Sequence, residues 1–538
     1  MSASRRRLLR GAGVTLAAGL GGGPVAGLAR TTPEIDPRRQ HHIVIGSTLG
    51  TRQLNPAVQY GMSTLLPGAQ LFASLLTVDS QWKLQPYLAR QWQVSADGLE
   101  VRIRLQANAR FHDGEPITTE DLLFSLETVR QHHPLKAIFA PIVAMTIDDA
   151  ENATFKLNTP HPGLLMALST PLLPILPRHV FDTGEDIRNH PMNIRPTGSG
   201  PFKLLDFQPG ERIELEKFDD FFLPEKPRIK KITFRRYDSP ARLLRALKRG
   251  DIDIHTQLTS ASELQRAAKF PTVSVVSDAA PAIGPIVWLA FNLTKPRLAD
   301  RRVRQALNYA IDKKFIQEEL MAGVHGRATG PIGRSNPYYS AQVNPYDLNL
   351  KKASQLLDEA GLLPDEDGIR FDLTIDAIPG IAEISTLQHY LVDALKKVGV
   401  KVNARRSNNF STWANRIASH QFEASLDTVW NWGDPAIGMH RTWLSSNIRK
   451  GALWSNTQSY RNPMVDSLLH KAASELNQEK RRAFYAEAQQ LITEDSPVAF
   501  LTELRFHYAV NKRINGLPDG VWGLMAPALT MAVKPPDE

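Results

Sequence analysis

Apolar and polar positions along the chain follow two rhythms, one of period two and one near 3.6, and switch between them repeatedly. Val101, Ile103 and Leu105 alternate with Arg102 and Arg104, the pattern of a strand with one buried face. His112-Asp113-Gly114 supplies a turn, and Thr118 precedes Asp121 by three residues, as in a capping box. Leu122, Leu123, Leu126 and Val129 then form a helical stripe, so this region reads as strand, turn and capped helix. His112 and Asp113 are turn formers in this reading, not catalytic groups.

Short apolar strands are expected at Ile43 to Gly46 and at Ile229 to Tyr237. A short helix over 242–248 is closed by Gly250, and Asp251 to Ile254 is strand-like with its two aspartates facing solvent. Val287 to Asn292 is almost continuously apolar, which predicts a strand covered on both faces. Asp300 is placed to cap a helix whose stripe is Val303, Ala306, Leu307, Ala310 and Ile311. A further helix runs from Lys351 to Ala360 and stops at Gly361. Phe371, Leu373 and Ile375, a helix through Leu387 to Val398, and Val400 to Val402 make a βαβ unit, hence a partly parallel sheet. Strands over 423–426 and 498–501 and a long helix over 479–493 complete the pattern, which has no internal repeat.

Five of the nine tryptophans lie between 413 and 454, and Asp427 to Pro435 sets Trp430, Asn431, Trp432 and Asp434 close together. Such a cluster serves a ligand pocket or an aromatic core equally well. Its position after a βαβ unit favours the pocket, because ligands on parallel sheets gather beyond the strands' carboxyl ends.

Composition narrows the chemistry. A chain of 538 residues exceeds one compact core, so two or three domains are expected. The formal charge is +9, but Arg5, Arg6, Arg7 and Arg10 carry four of these charges, which leaves about +5 elsewhere. No Lys/Arg run follows, and nucleic-acid binding is not expected. The absence of cysteine removes disulfides, thiolate catalysis, Cys-ligated metals and lipid attachment at a cysteine. No nucleophile elbow, His-Glu-x-x-His or Walker motif is present. Ser4 to Arg10 resembles a twin-arginine export motif, and a small-residue stretch runs on to Ala29. The expected product is exported, soluble and free of a lipid anchor.

Four stretches together resemble the family-5 solute-binding proteins of bacterial ABC importers, the peptide, dipeptide and nickel-binding group. They are Phe111 to Asp121, Pro196 to Phe202, Asn292 with Val303 to Asp312, and the tryptophan-rich stretch ending in Gly433-Asp434-Pro435. The resemblance implies an α/β, two-lobed periplasmic-binding-protein fold of type II, the large class with an extra subdomain, with a ligand cleft between lobes. The first lobe would comprise 40–282 plus 501–538, with the subdomain near 75–190, and the second 283–500. Its function would be capture of a peptide-like, opine-like or other polar organic solute by hinge closure, without catalysis. The partners implied are that solute and an inner-membrane permease with its ATPase; the protein would be a periplasmic monomer without cofactor or metal. The alternatives are an exported hydrolase using carboxylates in the same cleft and a binder of nickel or another metal chelate.

By the same resemblance, Trp413 packs over the ligand, Arg416 meets a ligand carboxylate, and Tyr60, Gly61 and Met62 contact ligand backbone. Trp432, Gly433 and Asp434 complete the ligand-facing stretch. Peptide binders hold the ligand ammonium with an aspartate four residues before the proline; here that position is Asn431. An amide cannot form the charge-assisted pair, so Asn431→Asp would be expected to favour free-amine peptides. Nickel binders have a histidine directly after the proline, and this chain has Ala436, with His440 further on.

Overall fold

A computed structural model describes residues 39–224 and 227–534. The expected leader over 1–29 lies outside the described residues. Two mixed sheets organise the chain. The first has seven strands, in the order Val273–Val276, His507–Asn511, Ile254–Leu258, His42–Ser47, Lys231–Arg236, Arg212–Lys217 and Phe202–Gln208. The second has six: Gly326–Arg327, Val498–Glu503, Pro285–Phe291, Ala424–Trp430, Phe371–Ala377 and Val400–Arg405. A four-stranded antiparallel sheet, Ala89–Val94, Glu100–Leu105, Asn152–Leu157 and Ile142–Ile147, shares an apolar core with the first.

The apolar run at 287–292 is explained by the second sheet. Within Pro285–Phe291, Val287, Leu289 and Phe291 enter one apolar cluster, and Ile286, Trp288 and Ala290 enter another on the opposite face. Period two persists, but both faces are dry. Helix Arg301–Tyr309 lays Val303, Ala306 and Leu307 on the first of those clusters, and the Asp300 carboxylate accepts the Arg302 N–H at 2.8 Å. The βαβ unit is Phe371–Ala377, helix Ala382–Lys396 and Val400–Arg405, paired in parallel from Phe371 opposite Val400.

At the capping box, the Asp121 carboxylate accepts the Thr118 N–H at 2.9 Å and opens helix Thr119–His132. The preceding turn has a second task. His112 Nδ1 accepts the Gly198 N–H at 3.1 Å, and its Nε2 faces the Gly200 carbonyl at 3.0 Å. Burial lowers the ring's pKa to about 4, leaving it neutral with one donor and one acceptor. A Cβ at Gly198 would come within 2.9 Å of the His112 ring and 2.0 Å of the Leu71 carbonyl oxygen, so two of the four quoted stretches meet through a glycine contact.

One expectation about charge fails. Asp253 does not face solvent; it is wholly buried where three central strands of the seven-stranded sheet converge. Arg513 Nε donates to it at 2.6 Å, Arg39 pairs with its other oxygen, and that oxygen also accepts the Val44 N–H. A buried carboxylate persists only with such compensation.

The chain passes between the two large sheets twice, over 277–284 and over 504–506. The passages are hydrogen-bonded side by side: the Ala279 N–H donates to the Phe506 carbonyl at 2.7 Å, and the Leu504 N–H to the Pro285 carbonyl at 2.9 Å. The tryptophan-rich stretch lies against this junction.

Candidate functional site

Strand Ala424–Trp430 is longer than the expected 423–426 and delivers Trp430 to the edge of a cavity of about 520 Å³. The chain then turns on backbone bonds to the first passage. Asn431 and Trp432 donate their N–H groups to the Ile283 carbonyl, and Gly433 donates to the Ala282 carbonyl at 2.7 Å. Trp432 adopts a left-handed φ of 52°, unfavourable for a bulky residue and held here by those bonds.

Gly-Asp-Pro is the start of a helix as well as a turn. Asp434 caps helix Pro435–Trp443 by accepting the Ala436 N–H at 2.9 Å, with Pro435 at the first helical position. Helical spacing brings Gly438, Arg441 and Thr442 to the cavity. A Cβ at Gly438 would lie 2.3 Å from the Asn431 carbonyl oxygen and 2.4 Å from that of Trp430, so the helix can approach the loop only with glycine there.

The wall is aromatic. Trp430 and Trp432 lie 6.2 Å apart between ring centroids, and Tyr60 meets Trp432 at 4.7 Å. Behind them Phe506 stacks on Trp430 and Trp522 on Trp432. Met62, Val58 and Pro134 line the cavity from the chain's first part, and Val429, Leu453 and Trp454 from the later part. Both large sheets' portions of the chain therefore contribute.

The residues singled out from sequence separate into three groups. Tyr60, Gly61, Met62 and Trp432 line the cavity. Asn431, Gly433 and Asp434 stand behind its wall. Asn431 Oδ1 accepts the Gly333 N–H at 3.0 Å and its Nδ2 donates to the Pro331 carbonyl at 3.0 Å, while the Gly433 carbonyl accepts from Asn336 at 2.6 Å. The Asp434 carboxylate takes two bonds from Arg481, at 2.7 and 2.8 Å. Burial alone would raise its pKa, but Arg481 holds it below the usual carboxylate range. Trp413 and Arg416 lie elsewhere: Trp413 is wholly buried in the core of the six-stranded sheet, and Arg416 Nη1 donates to the buried Asp376 at 2.6 Å. His440 is likewise interior, 3.1 Å from the Tyr485 hydroxyl, and burial lowers its pKa to about 3. Among the described residues no group of three or more His, Asp or Glu is arranged to hold a metal ion.

Asn431 carries a testable consequence. An aspartate there would keep the acceptor facing Gly333 but turn an oxygen toward the Pro331 carbonyl, near Glu503. Asn431→Asp is expected to lower unfolding free energy by roughly 2 kcal/mol in urea titrations, without a gain for free-amine ligands.

Sequence reading missed Arg441 and counted Trp454 only as a member of the tryptophan cluster. The signal for Arg441 was available: an Asp-Pro start fixes the helix, and residues at helical spacing from Pro435 then share its inner face. Nothing local distinguishes Trp454, which the fold brings in from a loop.

Glu503, the last residue of its strand, stands beside the crossing segments. Its oxygens accept the Arg334 N–H, each at 3.2 Å, and burial pushes its pKa up from an ordinary 4.5 to about 7. The folded state thus binds this proton more tightly than the unfolded chain. The stabilising contribution is full below about pH 4.5 and is lost as pH rises through about 7. Urea unfolding at pH 5 and pH 8 should show a loss of up to roughly 3 kcal/mol that Glu503→Gln removes.

Two mixed α/β parts, joined by two adjacent passages and walling one cavity together, define a two-lobed solute-binding fold. Residues 83–456 match the family model described as bacterial extracellular solute-binding proteins, family 5 Middle, and the chain belongs to that family. It is similar to Protein XP55 of Streptomyces lividans, 27% identical over 493 residues, covering 88% of this chain and 86% of the relative. It is also similar to the oligopeptide-binding protein AppA of Bacillus subtilis, 24% identical, covering 83% of each. The crystal structure of NikZ from Campylobacter jejuni in complex with Ni(L-His) superposes with a TM-score of 0.80 at 26% identity, covering 92% of this chain and 99% of that one. The protein is accordingly a binding component of an ABC importer and not an enzyme. No helix among the described residues is long and apolar enough to cross a membrane.

Proposed function

We propose that this protein is exported to the periplasm through the arginine-rich leader and works there as a monomer without a lipid anchor. It captures a small organic solute in the aromatic cavity and presents it to a membrane permease. The first lobe is 40–282 with 501–538, including the subdomain near 75–190, and the second is 283–500. The two hydrogen-bonded passages serve as the hinge. The observation that carries this reading is the cavity itself: Tyr60, Gly61 and Met62 face Trp430, Trp432 and Arg441 across it, so opening the lobes would take the site apart. Relatives named for oligopeptides and glutathione support a polar organic solute with at least one ionised group. The test is extraction of the protein purified from its own host, identification of released small molecules by mass spectrometry, and rebinding by calorimetry with small-angle scattering. A bound solute whose return makes the particle more compact is expected. A protein that releases and rebinds nothing, with unchanged scattering, would refute the proposal.

A further inference from the structure

One cation without a protein counter-ion stands on the cavity wall. Arg441 is the single charged side chain on its wall, and no carboxylate among the described residues lies within ion-pair distance of it. Its one hydrogen bond goes from Nη2 to the Leu453 carbonyl, at 3.2 Å. Tyr60 and Trp454 line the same space, while the Tyr60 hydroxyl and Trp454 Nε1 themselves are buried without a partner. Burial raises the Tyr60 pKa well above its usual value, so its hydroxyl stays a donor; burial also draws Arg441 below its usual range despite the nearby Tyr60. A guanidinium half-withdrawn from water, with no protein anion beside it, is costly unless the ligand supplies the anion.

No carboxylate waits on the wall for a ligand's positive charge, and the side-chain acceptors there, Gln53, Gln59 and Thr442, are neutral. No Asp or Glu lines the cavity, Asn431 has both ends of its amide engaged, and Asp434 is committed to Arg481. Beside these neutral polar groups the wall is largely apolar, with Trp430, Trp432, Met62, Val58 and Leu453 supplying most of its flat surface.

Resting on the reading of this cavity as the solute site, we infer that the solute is an organic carboxylate with a flat apolar body and no free ammonium group. Its carboxylate sits on Arg441, the one charged group on the wall. The body lies against the Trp430 and Trp432 rings, whose faces repel an anion but accept an apolar plane.

The probes are matched sets of benzoate, 2-naphthoate and biphenyl-4-carboxylate, their neutral amides and the corresponding arylmethylamines. Each is titrated into the full mature chain, stripped of bound solute, with tryptophan fluorescence as readout. At least one acid is expected to bind about tenfold or more tightly than its amide, and the amines not to compete. Arg441→Gln should abolish that acid-over-amide preference at an unchanged melting temperature, and Arg441→Lys should retain most of it. Equal binding of acid and amide, no binding by any acid, or an Arg441→Gln protein that keeps the preference would overturn the inference. The solute that co-purifies provides a separate check. A free-amine peptide or a cation would overturn the carboxylate assignment and leave the solute-binding function standing, whereas release of no solute at all would count against that function.

Discussion

Replacing Arg481 with methionine is expected to cost the folded protein roughly 3–5 kcal/mol, seen as a lower midpoint in urea unfolding. The guanidinium is almost wholly buried and forks onto both Asp434 oxygens, with the Tyr338 ring 4.8 Å and the Tyr485 ring 5.4 Å from its centre. Methionine matches much of its length but leaves the carboxylate alone, and a stranded buried charge costs far more than a lost surface pair. The same Asp434 caps helix Pro435–Trp443, so the damage should reach the helix that carries Arg441. The double variant Asp434→Asn with Arg481→Met should recover part of the loss, giving a coupling energy that the single changes do not show. Additive losses would mean that the two residues act independently, contrary to their geometry.

Trp413→Ala should be comparably severe, at roughly 3–5 kcal/mol, while solute affinity stays within about threefold. The indole is fully buried in the core of the six-stranded sheet, with Phe410 at 5.6 Å between centroids, and it does not line the cavity. Its removal leaves a void that close-packed neighbours only partly fill. Calorimetric affinity measured below the lowered melting temperature separates the two roles. A loss of affinity above tenfold, with stability intact, would return Trp413 to the ligand site.

These two residues mark the limit of what the chain reveals before folding. Periodicity located the strands at 101–105, 287–292 and 371–375 and the helices that follow them, because each has a face the core must cover. The density of flat apolar surface in the tryptophan-rich stretch suits a core as well as a pocket, and only its place after the βαβ unit marked it as a candidate site. Trp413 and Trp432 look alike in sequence and both are buried in apolar clusters, yet Trp432 also reaches a cavity wall and Trp413 does not. The difference depends on which distant segments arrive opposite them. Asp253 teaches the same lesson for charge: alternation placed it outside, and Arg39 and Arg513, distant in sequence, allow it to be inside. Asn431 was informative as a missing charge, but its amide proved to be part of the frame holding the loop to Pro331 and Gly333.

The turn after Trp430 is fastened to the crossing segment through main-chain atoms, by way of the Ile283 and Ala282 carbonyls. Side chains at 441 and 454 take no part in that fastening. In the proposed site, recognition would therefore rest on side chains that the fastening of the loop, built of main-chain bonds and the Asn431 amide, does not use. A designer working from that proposal would trade Arg441 for an acidic or neutral residue and leave the loop's attachment to the crossing segment intact.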